Sequence, residues 1–203
     1  MTHKKRKKIS RRYLENAGVF YLNRFASSEK NFRRVMQRKI EKSLSDHPEQ
    51  NKDECLEMLE DTIRKFFHLG YLDDQQYTRQ SVSSLRQQGK SKRAIIGKLR
   101  QKGVAPELVE QEVQRQDKSL SDNSDGHIDP ELLSALKHCR KKRIGPFHPD
   151  SSLYADDEVT LKRHLGRLAR AGFDYPTARK ALQTSSEKAR SILETSSCDG
   201  QYL

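Results

Sequence analysis

Apolar residues are scarce in this 203-residue chain, of which 33% is hydrophobic and 7% aromatic. A single thick globular core is therefore excluded, and burial must come from small bundles or from repeats that each hide one face against the next. No run of about eighteen apolar residues exists, so no segment is a candidate membrane span. The N-terminal MTHKKRKKISRR has the charged start of a secretory leader without the apolar stretch that must follow it. A soluble, cytoplasmic protein with no membrane partner is expected. Cysteine is rarer still: Cys55, Cys139 and Cys198 are odd in number, far apart and without CxxC spacing. That pattern argues against both a disulfide framework and a zinc site.

Catalytic signatures are missing as well. No Gly-rich phosphate loop, nucleophile elbow or Ser-His-Asp order can be assembled, and the seven histidines show no HExxH or other ligand spacing. The chain is read as non-enzymatic, with no metal and no cofactor. The acidic pair in GYLDDQQY (Gly70 to Tyr77) follows a Gly turn and precedes an amphipathic run, so Asp73 or Asp74 reads as a helix N-cap. YADDE (Tyr154 to Glu158) is read in the same way.

What the chain does have is positive charge. Forty Lys and Arg face 28 Asp and Glu, a formal charge of +12, which favours a polyanionic partner through counterion release and steering. The charge is unevenly spread. Residues 1–12 hold seven cations and no acid, and GKSKRAIIGKLRQKGV (Gly89 to Val104) holds six and none.

Apolar spacing is helical throughout, with no strict alternation of the strand kind. AIIGKLRQKGVAPELVEQEV (Ala94 to Val113) aligns without a gap on RHLGRLARAGFDYPTARKAL (Arg163 to Leu182), placing Ile96 on Leu165, Leu99 on Leu168 and Gly103 on Gly172. Each copy reads as a helix, a Gly C-cap, an apolar residue and a second amphipathic helix. A looser copy upstream carries the insertion SDHPEQN after Leu44, and one further helix precedes each pair. The predicted fold is all-α, an elongated tandem array of three three-helix repeats. The expected organisation is a disordered basic arm at 1–12, repeat one at 13–72, repeat two at 73–116, a polar linker at 117–129, repeat three at 130–193 and a frayed tail at 194–203.

Charge sorts by helix within the repeat. The second helices are basic: Lys30 to Lys42 has six cations and one acid, Val82 to Gly103 seven and none, Thr160 to Gly172 four and none. The third helices of the first two units are acidic instead, with Glu107, Glu110 and Glu112 in the second. Equivalent helices of a solenoid lie along one side, so a basic stripe is expected, with Arg33, Arg34, Lys92, Arg93, Lys98, Arg100, Arg163 and Arg167 as its contacts. Lys92 and Arg93 follow the N-cap candidate Ser91, where the helix dipole disfavours cations, so folding gains nothing from them there. The bland reading is a set of solvated faces; recurrence in three units argues against it.

LGYLDDQQYTRQSVSSLRQQGKSKRAIIGKLRQKGV with APELVEQEV resembles the RecX family of bacterial recombinase regulators, which carries a GYLDD-type turn, a basic three-helix unit and a KGV-type turn. YLNRFASSEKNFRRVMQRKI, RKKRIGPF and LARAGFDYPTARKAL are similar to its flanking segments, so the likeness covers about Ala17 to Leu182. The resemblance implies tandem three-helix repeats and a modulator, usually an inhibitor, of the RecA recombinase. Such a protein lies in the groove of the RecA filament on single-stranded DNA and impedes ATPase, strand exchange and filament growth. Weak, non-specific binding of naked DNA and a monomeric state are expected alongside it. The alternative is a direct DNA-binding protein, since residues 91–113 also read as two helices around a Gly turn, like a helix-turn-helix. A third option is a helical scaffold for another acidic protein.

Overall fold

The structure is a computed structural model and describes residues 5–123, 129–149 and 158–198. All regular elements among the described residues are helical: α1 (Arg11–Leu22), α2 (Glu29–Leu44), α3 (Lys52–His68), α4 (Asp74–Gln87), α5 (Lys92–Gln101), α6 (Pro106–Asn123), α7 (Pro130–Lys142), a 3-10 turn (Gly145–Phe147), α8 (Glu158–Arg170), α9 (Tyr175–Gln183) and α10 (Ser186–Cys198). The all-α expectation holds; α1 to α9 fall into three triplets, and α10 is a tenth helix that the reading of three three-helix repeats did not contain. Two compact units emerge, Met1–Thr78 with Arg100–Ala105, and Arg79–Leu99 with Pro106–Leu203. The middle triplet therefore contributes to both units rather than standing as a body of its own.

In the first unit, Phe32, Met36 and Ile40 recur at four-residue spacing along α2, and Cys55, Leu59, Ile63 and Phe66 at spacings of four, four and three along α3. Each set forms a stripe, and the stripes face one core that also takes Leu14 of α1. Side-chain caps start the helices: Ser10 accepts from the Tyr13 amide, Ser28 from Asn31 and Asn51 from Asp53. Each is worth about 1 kcal/mol.

The basic arm departs from expectation, because residues 5–10 are held in place. Ile9 is buried, its N–H donates to Gln50 Oε1 at 2.8 Å, and its carbonyl accepts from Gln50 Nε2 at 2.9 Å. Arg6 pairs with Asp46 at 3.1 Å and donates to the Lys42 carbonyl, Lys8 pairs with Glu49 at 2.8 Å, and Ser43 Oγ donates to the Lys7 carbonyl. Self-repulsion was the ground for expecting disorder. Asp46 and Glu49 of the 45–51 insertion offset part of it by pairing Arg6 and Lys8, and burial of Ile9 adds roughly 1.5–3 kcal/mol. The exposed ion pairs contribute far less.

The second unit buries Leu132, Leu136 and Cys139 of α7 against Leu168, Phe173, Ala178 and Leu182. Two further boundaries differ from the sequence reading. Helix α6 continues to Asn123, through the first half of the expected linker, and Asp129 caps α7 by accepting from the amides of Glu131 and Leu132. Helix α10 runs to Cys198, past the expected end of ordered structure at 193, because Ala189 and Leu193 are buried in the α7 core. Residues 1–4, 124–128, 150–157 and 199–203, which include most of YADDE, lie outside the described residues.

One contact recurs and shows how the copies join. Ser28, which caps α2, donates its hydroxyl to the Lys102 carbonyl, and Ser91, which caps α5, donates to the Ala171 carbonyl at 2.7 Å. Each acceptor immediately precedes a glycine in the left-handed region, Gly103 (φ +85°) or Gly172 (φ +90°). A Cβ at Gly103 would lie 2.5 Å from the Lys30 side chain, and one at Gly172 would lie 2.6 Å from Ser91 Oγ. Only glycine satisfies both the backbone and the space there. A carboxylate from the following copy completes each joint: Asp74 accepts from the Glu29 amide at 2.7 Å, and Glu131 from the Lys92 amide at 3.0 Å. The turn after α2 is covered by residues 6–9.

Candidate functional site

The eight candidate cations sit on α2, α5 and α8, as the helix boundaries require, but they differ in what surrounds them. Arg33 is half-buried and already paired, with Glu29 at 2.5 Å and with Glu60 of α3. Its charge is compensated within its own unit. Arg34 is exposed, and its Nη1 donates to the Gln101 carbonyl at 3.3 Å. This brings α2 beside the end of α5, where Arg100 stands exposed.

On α5, Ile95 and Leu99 are buried while Arg93, Lys98 and Arg100 are exposed, the division that a helical wheel gives. The Arg93 Cβ would lie 3.5 Å from a Cβ at Gly172, so this arginine stands at the turn that ends α8. Arg163 and Arg167 of α8 are exposed. No ion pair among the described residues involves Arg34, Arg93, Lys98, Arg100, Arg163 or Arg167.

Lys92 requires a correction to the helix-dipole argument. Its amide, the first of α5, donates to both Glu131 oxygens, at 3.0 and 3.3 Å. The positive end of the dipole therefore meets an anion brought by α7, and a cation at that position is tolerated. Lys92 and Arg93 border a cavity of about 530 Å³ also lined by Arg86, Glu131 and Phe173.

Glu131 belongs to a network that sequence reasoning missed. Arg86 of α4 has a side chain only 4% exposed, and it pairs with Glu131 at 2.6 Å and with Asp117 of α6 at 2.7 Å. It also donates to the Lys90 carbonyl and to Ser134 Oγ. Burial pushes the Asp117 carboxyl up in spite of Arg86. One signal was present in the sequence: Arg86 falls four residues after buried Val82, on the apolar side of α4. Its charge holds α4, α6 and α7 together and is not offered outward.

Several other titratable groups serve the fold. Asp73 caps α4 by accepting from the Gln76 amide at 2.9 Å, and Asp74 serves the α2 terminus. Glu158, the described residue of YADDE, pairs with Lys162 at 2.8 Å. Buried His164 accepts from the Gly145 amide through Nδ1, and desolvation, followed by the positive field of Arg163, lowers its pKa to about 4. Burial pushes the Cys139 thiol up to about 12, which leaves it unreactive. Among the described residues no group of three His, Cys, Asp or Glu is placed to hold a metal ion, and no helix is long and apolar enough to cross a membrane.

Residues 73–112, from the cap of α4 into the first half of α6, match the family described as RecX, second three-helix domain. The chain is 34% identical over 182 residues to the regulatory protein RecX of Myxococcus xanthus, with 90% of each chain covered. It is 27% identical over 182 residues to that of Agrobacterium fabrum (89% of this chain, 88% of the relative). The RecX protein of Trichlorobacter lovleyi matches over 135 residues at 28% identity (66% and 79%). No solved structure gives a significant match.

Proposed function

The chain belongs to the RecX family of regulatory proteins, and on that premise we propose that it is a non-catalytic inhibitor of the RecA recombinase. It binds in the groove of the RecA filament on single-stranded DNA and limits ATPase, strand exchange or filament growth. It acts in the cytoplasm as a monomer built from tandem triplets. The observation that carries this reading is the set of six exposed cations on the second helices with no carboxylate of their own. A groove lined by acidic protein and phosphate provides the complementary charge. Arg93, Lys98 and Arg100 are the central contacts, with Arg34, Arg163 and Arg167 as their counterparts. Arg33 leaves the set because Glu29 and Glu60 compensate it, and half-exposed Lys92, whose ammonium has no ion pair among the described residues, stands beside Arg93.

Direct duplex readout by α5 and α6 is disfavoured. Glu107 and Glu110 are exposed on α6, the helix that would have to enter a groove, where they would repel phosphate. The decisive measurement is the ATPase of RecA filaments with the purified protein added at up to one molecule per RecA subunit. Inhibition that falls sharply when Arg93 and Arg100 are both changed to Glu, with helicity unchanged, is the expected result. Unchanged ATPase beside tight, sequence-specific duplex binding would transfer the assignment to a DNA-binding protein.

A further inference from the structure

The first unit displays rings that its core does not use. Seven large hydrophobic side chains among the described residues are exposed, and five of them, Phe20, Phe25, Phe67, Leu69 and Tyr71, lie at the ends of α1 and α3. Phe20 is 65% exposed, Phe25 55% and Tyr71 51%. Solvent-facing rings on this scale mark a contact surface more often than an accident of composition.

Two of these rings, Phe25 and Tyr71, are fixed rather than loose. Phe25 packs on Tyr21 with centroids 5.5 Å apart, Tyr21 on Phe32 at 6.2 Å, Phe32 on Phe66 at 5.7 Å, and Phe66 edge-on to Tyr71 at 5.3 Å. Exposed Phe25 and exposed Tyr71 therefore terminate one continuous series of ring contacts whose middle members, Phe32 and Phe66, are buried. Little rotamer entropy remains to be lost when something stacks on them.

Charge selects the occupant. The segments 16–26 and 62–72, which carry all five side chains, contain no Asp or Glu. Arg24 lies over the Phe20 ring with its guanidinium carbon 5.5 Å from the centroid, and it has no ion pair among the described residues. A flat π-faced group attached to an anion satisfies ring and guanidinium together, and the bases of a single strand are such groups. Bases in a duplex are covered by their neighbours and present only edges.

We infer that Phe20 with Arg24, Phe25 and Tyr71 form a stacking platform for the bases of single-stranded nucleic acid. The inference does not rest on the filament reading, because its test uses naked strand without RecA. The chain contains no tryptophan, so Tyr71→Trp and Phe25→Trp each install a unique fluorophore while keeping a ring at the site. Titrated with a thymidine single strand of about 20 nucleotides, both variants quench saturably, and a duplex of the same length leaves them unquenched. The Phe20→Ala and Phe25→Ala variants bind the strand about 5- to 100-fold more weakly per ring. Their slope of log affinity against log salt stays at the parental value, since stacking releases no counterion.

Absence of quenching at saturating strand, or unchanged affinity in the alanine variants, overturns the platform. So does an equal loss on duplex, which would report general damage. Alanine variants that keep their affinity for the strand but lose action on RecA filaments would identify the surface as a protein-docking face instead.

Discussion

The Ser91 hydroxyl donates to the Ala171 carbonyl at 2.7 Å while accepting from the Ala94 amide at 3.2 Å. One side chain thus begins α5 and fastens the turn that ends α8. Ser91→Ala removes a cap and a hydrogen bond at a buried position, a loss of about 1–3 kcal/mol in urea unfolding. Ser91→Thr, which retains the hydroxyl, recovers part of it. Gly172→Ala is worse than either, because it adds left-handed strain to a clash.

Arg86 gives the largest expected single loss. Replacing it with Met leaves the Asp117 and Glu131 carboxylates half-buried without their cation, which costs about 3–5 kcal/mol. Hydrogen exchange locates the damage: amides of α6 beyond Asp117 lose protection first, since the Arg86 contact anchors that stretch.

His164 makes stability depend on pH. Its folded pKa of about 4 lies below the unfolded value of about 6.5, so the unfolded chain binds the extra proton in between. The contribution is complete above about 6.5 and is lost as pH falls toward 4, with a limiting slope of about 1.4 kcal/mol per pH unit. His148, with its ring 5.6 Å away, and the neighbouring Arg163 and Arg167 act in the same direction. His164→Ile, which installs the residue that the aligned position 95 carries, flattens this slope when unfolding is compared at pH 5 and pH 7.5.

Two arginines separate binding from folding. Arg100→Ala lowers the salt slope of strand binding by about 0.7 and leaves thermal stability within about 0.5 kcal/mol. Arg33→Ala does the reverse, because its partners are Glu29 and Glu60 and no phosphate is involved.

The arm is tested by Ile9→Asp. Burying a carboxylate there undocks residues 5–9 and removes the roughly 1.5–3 kcal/mol that Ile9 contributes. Raising salt in the parent protein has little effect by comparison, since the Arg6 and Lys8 ion pairs are exposed. Loss of amide protection at residues 42–50 is the local readout.

Much of this was legible in the residues. Helical apolar spacing marks α2 and α3, and the aligned Gly103 and Gly172 mark the turns after α5 and α8, though not that those turns join one copy to the next. Local patterns failed where a distant side chain decided the outcome. The arm looked self-repelling until Asp46 and Glu49, about 40 residues away, were placed beside it. Arg86 counted as one more cation because its burial depends on α6 and α7. Arg33 and Arg34 are sequence neighbours of the same type, yet α3 supplies Glu60 to the first alone. The cation set was legible as a list; which members are spent internally was not.

The serine and glycine of each joint are supplied by adjacent triplets, whereas the arm at one terminus and α10 at the other are made once. Growth of such a chain by duplication therefore has a natural grain: an extra triplet arriving with its own serine, glycine and leading acid would splice between existing ones without redesigning either end. Length is then a quantity that evolution, or an engineer, can adjust in whole modules.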